Sequence, residues 1–139
     1  MFSVLAIDHG TLRTGFAVAD PLRITTQAID QFQGEEELKL FKFIEGLLEE
    51  RTVGVFVVGM PYNMDGTEGP RAKDVREFGE RLSQHFPRIR VAFQDERLST
   101  KAAEELLKEA GHFGAERKAR KDSMSALVIL RDWIEAGEP

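Results

Sequence analysis

Residues 53–59 read VGVFVVG, an apolar run with no charged or hydrogen-bonding side chain. A strand with one face in water alternates polar and apolar residues, whereas a strand apolar at every position must be covered on both faces. Helices above and below a sheet are the ordinary way to do that. This one run therefore points the chain toward the α/β class.

The other segments supply the layers. SVLAID (3–8) and TGFAVAD (14–20) read as a hairpin around the turn HGTLR, and TTQAIDQF (25–32) adds a third strand after the Asp20-Pro21 turn. IRVAFQ (89–94) is a further strand. Residues 35–51 place Leu38, Phe41, Ile44, Leu47 and Leu48 on one helical face, and a helix ending at Phe86 and Pro87 carries Val75, Phe78, Leu82 and Phe86. DERLS (95–99) leads to a helix over 100–110 that Gly111 stops. HFGAERKARK (112–121) has no apolar period and reads as a mobile loop. Asp122 or Ser123 then caps a last helix whose inward residues are Ala126, Leu127, Leu130, Trp133 and Ile134. The order β-β-β-α-β-α-β-α-α describes a five-stranded mixed sheet flanked by helices, in a single domain of 139 residues.

The net charge of −5 argues against a polyanionic partner until its distribution is considered. Residues 30–50 alone carry −5, so the remainder is neutral overall and contains two basic clusters. One is Arg88, Arg90, Arg97 and Lys101; the other is Arg117, Lys118, Arg120 and Lys121. An acidic face and a mixed or basic face are compatible with nucleic acid, although solvated charged surfaces explain them as well. There is no cysteine, which removes disulfides and thiolate metal sites and suits a reducing compartment. No apolar stretch approaches a membrane span, so a cytoplasmic enzyme or binding domain is expected.

Strands that enter crossover helices run parallel, so their carboxyl ends share one edge, where ligand sites form. Asp8 closes the first strand, Gly59-Met60-Pro61-Tyr62-Asn63 follows the fourth, and Asp95-Glu96-Arg97 follows the fifth. Asp122 starts the last helix, whose N-terminus can reach the same edge. Taken singly, Asp8 is also a good turn former, Asp122 a good N-cap, and Glu96 a possible surface partner for Arg97 or Lys101. Carboxylates gathered together would raise one another's pKa unless a cation neutralised them, and oxygen donors suit Mg²⁺ or Mn²⁺. With only His9, His85 and His112 scattered along the chain, zinc is not expected.

Four stretches, IDHGTLRTGFAVAD, VVGMPYNMDGT, DERLST and KDSMSALVIL, resemble in order and spacing the motifs of the YqgF/RuvX family. That family is described as pre-16S rRNA nucleases and as Holliday-junction-resolvase-like proteins. The resemblance covers nearly the whole chain. It implies an RNase H-like fold, a bacterial cytoplasmic setting, and maturation of the 5′ end of the small-subunit ribosomal RNA. Carried over position by position, it assigns catalysis and metal binding to Asp8, Glu96 and Asp122. Adjacent residues of an extended strand point opposite ways, so Asp95 and Glu96 do not both face the metal. Glu96 is favoured, with Asp95 free to bond the backbone of the turn.

The reaction expected is phosphodiester hydrolysis with two divalent ions, Mg²⁺ or Mn²⁺, with Asp8 bridging both. Nucleic-acid contacts are expected from Thr11, Arg13, Asn63, Arg97, Lys118 and Lys121, the last two in a loop that orders on binding. The expected partner is a ribosomal RNA precursor or branched DNA, taken by a monomer or weak homodimer. Competing readings are a DNA junction resolvase using the same site and a non-catalytic RNA-binding assembly factor. ATP-dependent phosphoryl transfer is disfavoured, because actin-like kinases need two such domains.

Overall fold

Three strands of the sheet are parallel, and their shared carboxyl edge is what positions the site. The computed structural model describes residues 1–97 and 115–139, and for 115–122 the backbone path only. The elements are β1 (Ser3–His9), β2 (Arg13–Ala19), β3 (Thr26–Gln33), α1 (Glu37–Glu49), β4 (Val53–Met60), α2 (Pro70–His85), β5 (Arg90–Asp95) and α3 (Ala115–Glu135). The sheet order is β3-β2-β1-β4-β5. β1–β2 and β2–β3 pair antiparallel; β1–β4 and β4–β5 pair parallel, with Ile7 opposite Val58 and Met60 opposite Asp95. This is the mixed five-stranded sheet expected from the sequence, and VGVFVVG lies within β4, covered on both faces.

Side-chain alternation sorts the core into two halves. Leu5, Ile7, Phe16, Phe56, Val58 and Met60 pack against Leu40, Phe41 and Ile44 of α1 and Val75, Phe78 and Leu82 of α2. Val4, Ala6, Ala17, Ala19, Val55 and Val57 pack against Ala126, Leu127, Ile129, Leu130 and Trp133 of α3. α3 crosses this second face diagonally. At one end the Ser123 hydroxyl donates to the Ile29 carbonyl of β3 at 2.7 Å, and at the other Trp133 lies under the Arg90 guanidinium of β5.

Three sequence readings need correction. The mobile loop expected over 112–121 is helical from Ala115 onward, and Asp122 and Ser123 lie inside α3 rather than at its cap. Glu, Arg, Lys and Ala are strong helix formers, so this stretch needs no apolar period to continue a helix that is anchored further along. In α1, Leu38 is 79% exposed and Leu40 is buried in its place. At 100° per residue both flank the same stripe, and periodicity alone does not choose between them. Arg88 and Arg90 precede or open β5, at the opposite edge from Arg97, so they do not form one patch with it. The helix expected over 100–110, with Lys101, lies outside the described residues. Among the described residues no helix is long and apolar enough to cross a membrane.

Candidate active site

The alternation that divides the core also divides the residues at the carboxyl edge. Val4 and Ala6 face α3, and so does the next even position of β1, Asp8, whereas His9 turns to the α2 side and stacks on Phe78 with ring centroids 3.9 Å apart. On β5, Val91 and Phe93 face α2 while Ala92 faces α3. The same period sends Glu96 to the α3 face and Asp95 away from it. The ladder runs on one residue past β5, since the Glu96 N–H donates to the Met60 carbonyl at 3.1 Å.

β4 lies between β1 and β5, and at this level its residue is Gly59. A Cβ there would sit 2.7 Å from Glu96 Oε2 and would also collide with Ile129 Cδ1. Only glycine leaves the space through which the Glu96 carboxyl reaches toward β1. Glu96 and Asp8 accordingly share a hydrogen bond across the intervening strand. Burial, then the charge and hydrogen bond of Asp8, push the Glu96 carboxyl up to about 9, against a smaller opposing effect of the Arg71 guanidinium. At neutral pH and without a cation, the two carboxyl groups therefore share a proton.

Asp95 has the opposite fate. Burial raises its carboxyl, but hydrogen bonds and charge from Arg97 outweigh that and hold it below the usual carboxylate range. It accepts from the Arg97 backbone N–H at 2.9 Å and pairs with the guanidinium at 2.7 Å. That pairing explains why the second acid of DER, rather than the first, meets Asp8.

A cleft of about 380 Å³ opens over the pair, lined by Asp8, Glu96, Gly10, Thr11, Tyr62, Met64, Arg71 and Arg97 among others. Of the nucleic-acid contacts expected from the sequence, Thr11 and Arg97 line it. Arg13 and Asn63 are not among its lining residues. Arg13 opens β2 on the far side of the turn, and the Asn63 amide bonds Thr67 Oγ1 at 3.0 Å, bracing its own loop. The Asp122, Lys118 and Lys121 side chains lie outside the described residues. Among the described residues no group of three or more His, Asp or Glu gathers closely enough to hold a metal. Asp8 and Glu96 supply two hard oxygen donors whose mutual repulsion a divalent cation would relieve, so the donor set fits Mg²⁺ or Mn²⁺.

Sequence reasoning missed Arg71. It follows Pro70 at the first position of α2, and Pro opening a helix immediately after the β4 loop was the available signal. Its guanidinium donates to the His9 carbonyl. His9 itself is pushed down to about 4, first by burial and then by Arg71, so its imidazole is neutral at physiological pH.

Residues 2–136 match the family model described as RuvX: Holliday junction resolvase. A curated protein named "Putative pre-16S rRNA nuclease" from Actinobacillus succinogenes is 39% identical over 96% of this chain and 94% of its own. One of the same name from Pectobacterium carotovorum is 39% identical over 96% of each. Among solved structures, Thermus thermophilus RuvC bound to a Holliday junction superposes with a TM-score of 0.61 at 14% identity, covering 99% of this chain and 98% of that one. The Fowlpox virus resolvase, also with Holliday junction DNA, gives 0.60 at 9% identity, covering 99% of each. The two structures share the RNase H-like fold seen here, and the sequence matches establish that this chain belongs to the RuvX family of nucleases.

Proposed function

We propose that this chain hydrolyses phosphodiester bonds of a ribosomal RNA precursor, at the 5′ end of pre-16S rRNA, in the bacterial cytoplasm. The observation that carries the reading is the Asp8–Glu96 pair, distant in sequence yet sharing a hydrogen bond on the floor of an open cleft. The substrate follows from the names of the relatives.

Asp8 and Glu96 would hold the divalent ions, Mg²⁺ or Mn²⁺, through their carboxylate oxygens. Asp122, seven positions before Ile129 in α3, would complete the set. When bound, such ions supply Lewis-acid activation of water and neutralise charge at the departing oxygen. The chain's own contribution is positional. Asp8 follows five buried residues of β1, Ser3–Ile7, which fix where its carboxyl starts. With a divalent ion held there, Glu96 would stand ionised as a second carboxylate, its proton released to solvent. Thr11 and Arg97 face a phosphate from the cleft walls. A monomer or weak homodimer suffices for single-site cleavage.

Cleavage of branched DNA is the second reading, favoured by the resolvase description of the matching family model. Incubating purified protein with a precursor rRNA fragment and with a four-way DNA junction, in one Mn²⁺ buffer, separates the two. Cleavage of the RNA, abolished in Asp8→Asn, is the expected result. Cleavage of the junction alone would transfer the same site to DNA. RNA binding without cleavage of either substrate would leave a non-catalytic assembly factor.

A further inference from the structure

Among the described residues two guanidinium groups line the cleft over Asp8 and Glu96, and they are committed differently. Arg97 is bound to Asp95 through two short contacts, at 2.7 and 2.9 Å, and also donates to the Met64 carbonyl at 3.1 Å. Its charge is largely neutralised where it stands. Arg71 makes one hydrogen bond among the described residues, to the carbonyl of His9, an uncharged acceptor. That bond uses one of the five donors an arginine carries and leaves the positive charge intact.

The bond also tells where the guanidinium is held. His9 is the residue next to Asp8 on β1, so Arg71 is tethered at the strand end that presents the carboxylate pair. It lines this cleft and a second cavity of about 400 Å³ on the other side of the His9–Thr11 turn. That second cavity is walled by Glu35, Glu36, Glu37, Asp74 and Glu77, with Arg81 already paired to Glu37 at 2.8 Å. A polyanion is repelled from the second cavity, so the donors of Arg71 that can serve one are those turned to the Asp8 side. Arg71 also stands in the first turn of α2, where unpaired backbone N–H groups add positive potential.

We infer that Arg71 is the residue that binds the non-bridging oxygens of the phosphodiester being cut. The inference rests on the nuclease reading above and adds to Thr11 and Arg97 a guanidinium that no carboxylate hydrogen-bonds among the described residues. Charge accumulates on those oxygens as a nucleophile adds to phosphorus. A planar two-pronged donor matches their spacing better than a lysine does.

The test is a double-mutant cycle between protein and substrate. The cut position is first mapped with wild-type protein. Affinities are then measured, by fluorescence anisotropy in Ca²⁺, for RNA carrying a natural linkage or a single methylphosphonate at that position, with wild-type protein, Arg71→Gln and Arg71→Lys. Wild-type protein should bind the methylphosphonate RNA about 10–100-fold more weakly than the natural RNA, the worth of a charged hydrogen-bond pair. Arg71→Gln should lose a similar factor on natural RNA and little more on the modified one. Arg71→Lys should fall between them, and kcat in Arg71→Gln should drop by about 10²–10³-fold with a smaller change in KM. A purely structural role for Arg71 weakens both RNAs equally, and such additive losses in a protein that does cut would overturn the inference alone. Wild-type protein that cuts no nucleic acid would overturn the nuclease reading and this inference with it.

Discussion

The two faces of the sheet are built from different materials. Against α1 and α2 the interior is large and aromatic, with Phe16, Phe41, Phe56 and Phe78 all buried. Against α3 the strands offer Val4, Ala6, Ala17 and Ala19, so that helix can approach closely. The carboxyl edge continues the contrast. His9 stacks on Phe78 on the aromatic side, while Asp8, Gly59 and Glu96 share the small-residue side. The aromatic face supplies most of the apolar burial, and the alanine face leaves room at its end for polar groups that do not pack. The aromatic packing and the carboxyl pair thus fall on opposite sides of the same strands by a period of two.

Substitutions on each side should therefore separate the two properties. The largest effect expected is on the small-residue side: Asp8→Asn should lower the cleavage rate by at least about 10³-fold, more than 4 kcal/mol of transition-state stabilisation. Its melting temperature should change little, because the amide oxygen can still accept the hydrogen bond from the protonated Glu96 carboxyl. Phe78→Ala should do the reverse. Loss of that buried ring should cost about 3–5 kcal/mol of stability, read by denaturant unfolding, with turnover per folded molecule little changed.

The acid pair gives a further contrast, in pH. Glu96 carries a folded-state pKa near 9, above its ordinary value, so the folded state keeps a proton that the unfolded state has released. In metal-free buffer this contribution to stability is fully present below about pH 4.5 and is lost as pH rises toward 9. Glu96→Gln has no such proton, so wild type should lose stability relative to it across that window, by up to about 1.4 kcal/mol per pH unit. Parallel thermal melts at pH 5 and pH 8 provide the check. The smallest effect expected is from Gly59→Ala. The added methyl must displace the Glu96 carboxylate or Ile129, costing about 1 kcal/mol of stability. The cost in cleavage rate should be about tenfold, since the pair is pushed apart rather than removed.

Much of this arrangement was legible in the chain. The apolar run of β4 announced a two-sided sheet, and acids closing β1 and following β5 marked the edge where ligands gather. The parity rule that separates Asp95 from Glu96 was equally available, and the Asp95–Arg97 pairing supplies its reason. Gly59 was not readable, because its role is set by Glu96 crossing from another strand. Arg71 was hidden for a similar reason: a helix start fixes where a side chain begins, not which carbonyl it will grip. The start of α3 was misplaced because its first turns are rich in strong helix formers but carry no apolar period to announce them. Leu38 and Leu40 show the limit of periodicity, as two leucines flanking one stripe differ only in the final roll of the helix.

The division of labour between the two faces is tested most directly by calorimetric titration of Mn²⁺ into wild-type protein, Asp8→Asn and Phe78→Ala at pH 7.5, in two buffers of different ionisation enthalpy. Wild type and Phe78→Ala should bind with similar affinity and release protons from the acid pair. Asp8→Asn should bind at least tenfold more weakly. Equal binding by Asp8→Asn and wild type, with no proton released, would contradict the assignment of cation binding to the alanine-lined side of the sheet.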